Sequence, residues 1–139
     1  MLYLKKKDYD IILEHARSGF PNEVCGLIAG VIKEDKKYIE KVYLLENVDA
    51  SKEHFSMDPK EQLSAIKDIR LNNYVLLGNF HSHPETPSRP SEEDKRLAYD
   101  SKMDYLILSL MNKKEPILKA FLMQDSKNVS EEVIEIVST

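Results

Sequence analysis

The stretch Asn79-Phe80-His81-Ser82-His83-Pro84, followed by Ser91-Glu92-Glu93-Asp94, carries the side chains of this sequence best suited to gripping one divalent ion. Two histidines one residue apart at the end of an apolar run project to the same side of a strand, because strand side chains alternate with a period of two. Asp94, in what reads as the first turn of a helix, adds a third, anionic donor if the intervening loop folds back. Three protein donors with a fourth position open is the pattern of catalytic zinc, whereas structural zinc is closed by four ligands, usually including cysteines. The chain has one cysteine, Cys25. A cysteine-built structural site and an internal disulfide are both excluded, in keeping with a reducing cytoplasmic compartment. Nitrogen and oxygen donors favour zinc among the common metals.

Ser91 and Asp94 have a second reading, since Ser-x-x-Asp is a helix capping box in its own right. The two readings are compatible: Asp94 can ligate from the first helical turn while Ser91 opens the helix with its hydroxyl facing the ion. A hydrolytic centre also needs a group to carry a proton from water to the leaving group. Glu23 is the candidate, at the mouth of the first apolar strand after Gly19-Phe20-Pro21-Asn22. Zinc with two neutral histidines and one aspartate keeps a single positive charge, which an ionised Glu23 neutralises; such a site favours a water that loses its proton near neutral pH. Cys25 reads as a small buried filler, although its thiol falls on the same strand side as Glu23 if the strand already runs there. His15 and His54 read as solvated, and Lys5-Lys6-Lys7 as an exposed strand end.

The elements that must position these groups are legible in part. Asp8 caps a helix predicted over residues 8–18, with Tyr9, Ile12, Leu13 and Ala16 at helical spacing and Gly19-Phe20-Pro21 as its stop. Residues 24–32 and 38–45 read as a β-hairpin joined through polar residues 33–37. Residues 47–54 form a polar loop, and Phe55-Ser56-Met57 a short strand. A second helix follows, with Asp58 as cap, Pro59 at its first position, Glu61 completing a capping box, and Leu63, Ile66 and Ile69 or Arg70 as the inner face. Asn72-Asn73 ends it. Residues 74–80 are a nearly continuous apolar run, as in a central strand covered on both faces, with the histidines at its far end. Pro84, Pro87 and Pro90 stiffen the next loop, and Ser91 opens a third helix predicted to about residue 101. Residues 105–111 and 117–124 form another hairpin. Residues 129–137 fit helix or strand, and strand is the preferred reading.

Strands and helices alternating around hairpins predict an α/β chain, a mixed sheet with helices packed on it, as one domain over residues 1–139. The metal loop then lies at the carboxyl end of a central strand, where ligand sites in such sheets gather. The 20 basic and 24 acidic residues are interleaved and give a net charge of -4, with no basic tract suited to nucleic acid. No apolar stretch approaches the roughly 20 residues of a membrane helix, and the first residues do not read as a secretory signal. A soluble, cytoplasmic protein is expected.

Taken together, Glu23-x-Cys25-Gly26, His81-Ser82-His83-Pro84 and Ser91-x-x-Asp94 resemble the JAMM motif of the MPN-plus metalloproteases. The similarity extends from the first helix to the hairpin after the third, and every motif position is filled, unlike in the inactive MPN-minus branch. The resemblance implies His81, His83 and Asp94 as ligands of one Zn2+, with Glu23 polarising the water in the fourth position and passing its proton to the departing amine. It implies Ser91 as hydrogen-bond donor to the oxyanion of the tetrahedral intermediate. It implies the family's α/β sandwich, akin to cytidine deaminases, and cleavage of amide or isopeptide bonds after the C-terminal glycines of ubiquitin-like proteins. The compact chain is closer to small bacterial and archaeal members acting on ubiquitin-like sulfur-carrier proteins, some of which release cysteine. A metal-dependent hydrolase of a small amide and a non-catalytic module for a ubiquitin-like tail are the alternatives. A nucleoside deaminase is disfavoured by the missing Pro-Cys-x-x-Cys pair.

Overall fold

The computed structural model describes residues 1–138, so that Thr139 lies outside the described residues. It runs β1 (Leu2–Lys5), α1 (Lys6–Gly19), β2 (Cys25–Lys33), β3 (Lys36–Leu45), α2 (Pro59–Leu71), β4 (Val75–His83), α3 (Glu92–Arg96), β5 (Asp104–Ser109), β6 (Ile117–Met123), β7 (Val129–Glu132) and β8 (Ile134–Val137). The strands form one mixed sheet in the order β7-β6-β5-β4-β2-β3-β1-β8. Glu34 and Asp35, both at positive φ, make the tight turn between β2 and β3.

Two apolar clusters lie on opposite faces of this sheet. On one, Ile12 and Ala16 of α1 pack with Leu2, Leu4, Ile28, Ile39, Phe80, Leu106 and Leu108. On the other, Ala65 of α2 packs with Cys25, Leu27 and Leu45, joined by Phe55, Met57 and Ile66. β4 sits between them, which explains its unbroken apolar sequence. Gly26 is required where β2 crosses Phe80: an added Cβ would lie 2.1 Å from the Phe80 ring and 2.2 Å from the Tyr43 carbonyl oxygen.

The C-terminal strand reading holds in an unforeseen form. Val133 alone separates β7, paired with β6 at one edge of the sheet, from β8, paired with β1 at the other. The sheet must therefore curl until its two edges meet, and the Leu2 amide donates to the Val133 carbonyl at the seam.

Several predicted elements differ in detail. α1 starts at Lys6, directly from β1, and Asp8 is a buried residue of its first turn instead of the cap. The lysine run is accordingly not an exposed strand end: Lys5 pairs with Glu40 at 2.9 Å, and Lys6 and Lys7 belong to the helix. Phe55-Ser56-Met57 reduces to one bridge between Asn47 and Met57. In α2 the buried positions are Ala65 and Ile69, while Leu63 is exposed. Asp58 caps the helix through the Lys60 amide, but Glu61 accepts from the Glu46 amide and so ties α2 to the end of β3. α3 stops at Arg96 because Leu97 and Tyr99 find no core to face, and the Asp100 carboxylate takes the Lys102 amide and turns the chain into β5.

Candidate metal centre

His81 and His83 lie on one face at the carboxyl end of β4, both buried, as strand alternation requires. The loop from Pro84 to Pro90 returns the chain so that the first turn of α3 faces them. His81 Nε2 and His83 Nε2 are 3.1 Å apart, and Asp94 Oδ2 is 3.2 Å from each. Zinc bonds of about 2.0–2.2 Å in a tetrahedron set neighbouring donors roughly 3.3–3.5 Å apart, so a small contraction separates this triangle from that geometry. The donor set, two imidazoles and a carboxylate on one point, fits such an ion. Burial alone would raise the Asp94 carboxyl, but the two imidazoles and the Ser91 amide overcome it and hold Asp94 well below the usual carboxylate range. Burial likewise opposes charge on His83, and Asp94 with the Pro87 carbonyl outweighs it, raising its proton affinity.

His83 Nδ1 lies 2.9 Å from the Pro87 carbonyl. Donation there places the proton on Nδ1 and leaves the Nε2 lone pair facing the triangle. The carbonyl is itself held in place. Ser109 Oγ on β5 donates to the Thr86 carbonyl, and Ser88 Oγ donates to the Ile107 carbonyl, each at 2.6 Å, so the loop is latched to β5 on both sides of Pro87. Phe55 stacks on the His81 ring at 4.7 Å.

Ser91 and Asp94 form the reciprocal capping box: the Ser91 amide donates to Asp94 Oδ2 at 2.8 Å and the Asp94 amide to Ser91 Oγ at 3.0 Å. The box orients the carboxylate, and because Ser91 Oγ accepts here, its own hydrogen is free for another partner.

Glu23 is brought in by backbone contacts from two directions. Its amide donates to the Ser51 carbonyl at 2.8 Å and its carbonyl accepts from Asn47 Nδ2 at 3.0 Å. The next residue, Val24, exchanges bonds with Ser82, its amide to Ser82 Oγ and its carbonyl from the Ser82 amide. Ser82, pointing opposite to the two histidines, thereby locks the approach of β2 to β4. The Glu23 carboxyl is buried, and burial pushes it up to about 8; His83 pulls it down, while Asp94, Glu93 and Glu53 push it further up. A cation at the triangle would draw it back toward ionisation. Glu23, His83 and Ser91 line one cleft of about 390 Å³, with Glu92, Glu93 and His54 at its rim. A hollow of about 420 Å³ between β3 and α2 holds none of these groups.

Cys25 stands opposite His81 across the β2–β4 pair, fully buried, and burial pushes its thiol up to about 12. It is a packed, protonated filler. The two remaining histidines are not simply solvated. His15 Nε2 lies 3.3 Å from the Cys25 carbonyl with its ring edge-on to Phe80, and His54 pairs with Glu93, tying the loop after β3 to α3. Ser82, Pro87, Ser88, Ser109, Asn47 and Ser51 were not legible as site residues. Their signal was ordinary turn and strand chemistry, and their partners are distant in sequence.

This architecture, a mixed multi-stranded sheet flanked by helices, is that of a JAB1/MPN-type domain. The chain belongs to the family of prokaryotic homologs of the JAB domain, whose model matches residues 5–124. It is 35% identical over 105 residues to a desampylase of Haloferax volcanii, covering 72% of this chain and 74% of that protein. It is 26% identical over 137 residues to the CysO-cysteine peptidase of Mycobacterium tuberculosis, covering 99% and 92%. Among solved structures, a Desulfitobacterium hafniense protein superposes with a TM-score of 0.90 at 52% identity, covering 100% of this chain and 94% of that one. A JAB1/MPN domain protein of Archaeoglobus fulgidus shares the fold, with a TM-score of 0.62 at 22% identity over 98% of this chain and 97% of that one. No helix among the described residues is long and apolar enough to cross a membrane.

Proposed function

We propose that this protein is a zinc-dependent peptidase or isopeptidase acting in the cytoplasm as a single catalytic domain. Its substrate is a ubiquitin-like or sulfur-carrier protein, cut at the amide bond after the C-terminal Gly-Gly, with cysteine as one leaving group. The observation that carries the reading is the triangle of His81 Nε2, His83 Nε2 and Asp94 Oδ2 at 3.1–3.2 Å, whose His83 vertex lines the same cleft as Glu23, a buried carboxyl. The family membership and the relatives named for desampylation and for CysO-cysteine cleavage support it.

His81, His83 and Asp94 would hold one zinc ion, which supplies Lewis acidity: it lowers the pKa of water and polarises the scissile carbonyl. Glu23 takes the proton of the attacking water and returns it to the departing amine. Burial raises its proton affinity and a cation at the triangle lowers it, opposing pulls that suit a group which must both take and release a proton. Ser91, whose Oγ already accepts from the Asp94 amide, donates its hydroxyl hydrogen to the oxyanion of the tetrahedral intermediate, an interaction worth about 3 kcal/mol of barrier. An extended Gly-Gly tail suits the cleft because residues without bulky side chains let the scissile backbone approach the buried histidines.

The test is incubation of the purified, zinc-loaded protein with a carrier ending in Gly-Gly-Cys and with a short Gly-Gly-Cys peptide, each with and without a chelator. Chelator-sensitive release of cysteine from the carrier alone supports the proposal. Equal turnover of the short peptide would make the protein a small-amide hydrolase, and binding of the carrier without turnover a recognition module.

A further inference from the structure

The two histidines are held differently. His83 Nδ1 has the Pro87 carbonyl, whereas His81 Nδ1 is buried with no hydrogen-bond partner. Two residues back on β4, Oδ1 of Asn79 is also buried and also without one. Each unmade bond on a buried polar group costs about 1–3 kcal/mol, so two such atoms two residues apart on one strand call for an explanation.

They share a face. Across the β2–β4 pair, Cys25 stands opposite His81 and Leu27 opposite Asn79, on the side that α2 covers. They are also complementary. His81 Nε2 faces His83 and Asp94, so as a lone-pair donor the ring keeps its proton on Nδ1, while an amide oxygen only accepts. Residues two apart on a strand are separated by about 6.7 Å. That is the backbone spacing; two bonds of about 2.8 Å meeting at one water join polar atoms up to about 5.6 Å apart, within reach of two side chains that project from these positions to the same face.

We propose that Asn79 is a positioning residue for His81: its amide oxygen holds the Nδ1–H of His81 through one buried water and so fixes the tautomer that leaves Nε2 free for the ion. This rests on the metal reading above. The stacked Phe55 ring confines the plane of His81 but offers its Nδ1 no acceptor. Asn79 gives His81 what Pro87 gives His83, and a partner of this kind on a ligating histidine governs metal affinity.

Asn79→Leu keeps the size of the side chain and removes the acceptor, and Asn79→Asp keeps an acceptor oxygen. Metal-depleted wild type and both variants are titrated with zinc against a chromophoric chelator, and imidazole tautomers are read from long-range ¹H–¹⁵N spectra. The Leu variant should bind zinc about ten- to a hundred-fold more weakly. His81 should then lose its fixed Nδ1–H signal while His83 keeps its own, and the Asp variant should bind at least as tightly as wild type. Unchanged affinity and tautomer in the Leu variant would overturn the role, as would a loss that Asp does not restore. Should the Leu variant fail to fold, Asn79→Ser, which keeps a small acceptor but withdraws it from His81, is read the same way. Absence of zinc binding by wild type would remove the metal site itself and this role with it.

Discussion

Lys37 on β3 reaches Asp104 on β5 at 2.6 Å, although β2 and β4 lie between those strands in the sheet. The contact exists because the sheet curls, and it sits at the start of β5, at the end of the sheet away from His81 and His83. Asp104 is fully buried. Burial raises its carboxyl above the usual value, and Lys37 opposes that rise without cancelling it. The folded-state pKa thus exceeds the unfolded one. The stability this implies is fully present below the unfolded value of about 4 and is lost as pH climbs through the raised folded value. Denaturant unfolding from pH 4 upward should therefore show a falling contribution that Asp104→Asn removes. Lys37→Met leaves the buried carboxylate without its cation and should cost about 3–5 kcal/mol at neutral pH. Equal pH slopes in wild type and Asp104→Asn would refute this account.

Glu23→Gln should separate binding from chemistry. The three donors of the triangle are untouched, so zinc content by elemental analysis stays at the wild-type level. The proton carrier is gone, and kcat for the carrier substrate should fall about 10²–10⁴-fold. Full activity would remove Glu23 from the mechanism.

Much of this was legible because it is written locally. The cap at Asp58, the proline at Pro59 and the alternation of His81 and His83 are short-range signals, and they placed α2 and the end of β4 correctly. The Ser91-x-x-Asp94 spacing marked the capping box, and that box turns the Asp94 carboxylate toward the histidines. What failed depends on partners far along the chain. Leu63 fits a helical stripe as well as Ala65 does, and only the way α2 lies on β3 and β4 chooses between them. Sheet closure was hidden because β8 pairs with β1, more than a hundred positions away. Glu23 could be singled out by resemblance and not by its surroundings, because Ser51, Asn47 and Ser82, which fix it, carry no motif of their own.

Ser91→Ala removes two things at once, and they can be measured apart. Loss of the helix cap should cost about 0.5–2 kcal/mol of stability. Loss of the hydroxyl donor should lower kcat about 10²–10³-fold with KM little changed, because the oxyanion forms only on the way to products. A fall in KM-dependent binding with kcat preserved would place Ser91 in substrate recognition instead.

His83→Ala should abolish stoichiometric zinc, because one vertex of the triangle disappears; normal metal content in that variant would show that the donor set is wrong. Ser109→Ala is the finer probe of the same vertex. It frees the Thr86 carbonyl from β5, leaving Ser88 as the single latch beside Pro87, the group that orients His83. The lost hydrogen bond should cost about 1 kcal/mol of stability. The loosened carbonyl should weaken zinc binding about ten-fold in a chelator competition. The double variant Ser88→Ala/Ser109→Ala should lose more affinity than the two single changes combined, since either latch alone still keeps Pro87 close to His83, though less firmly than both together. Strict additivity there would mean that the two latches act independently, and no loss in either single or double variant that the loop is held by its prolines and not by β5.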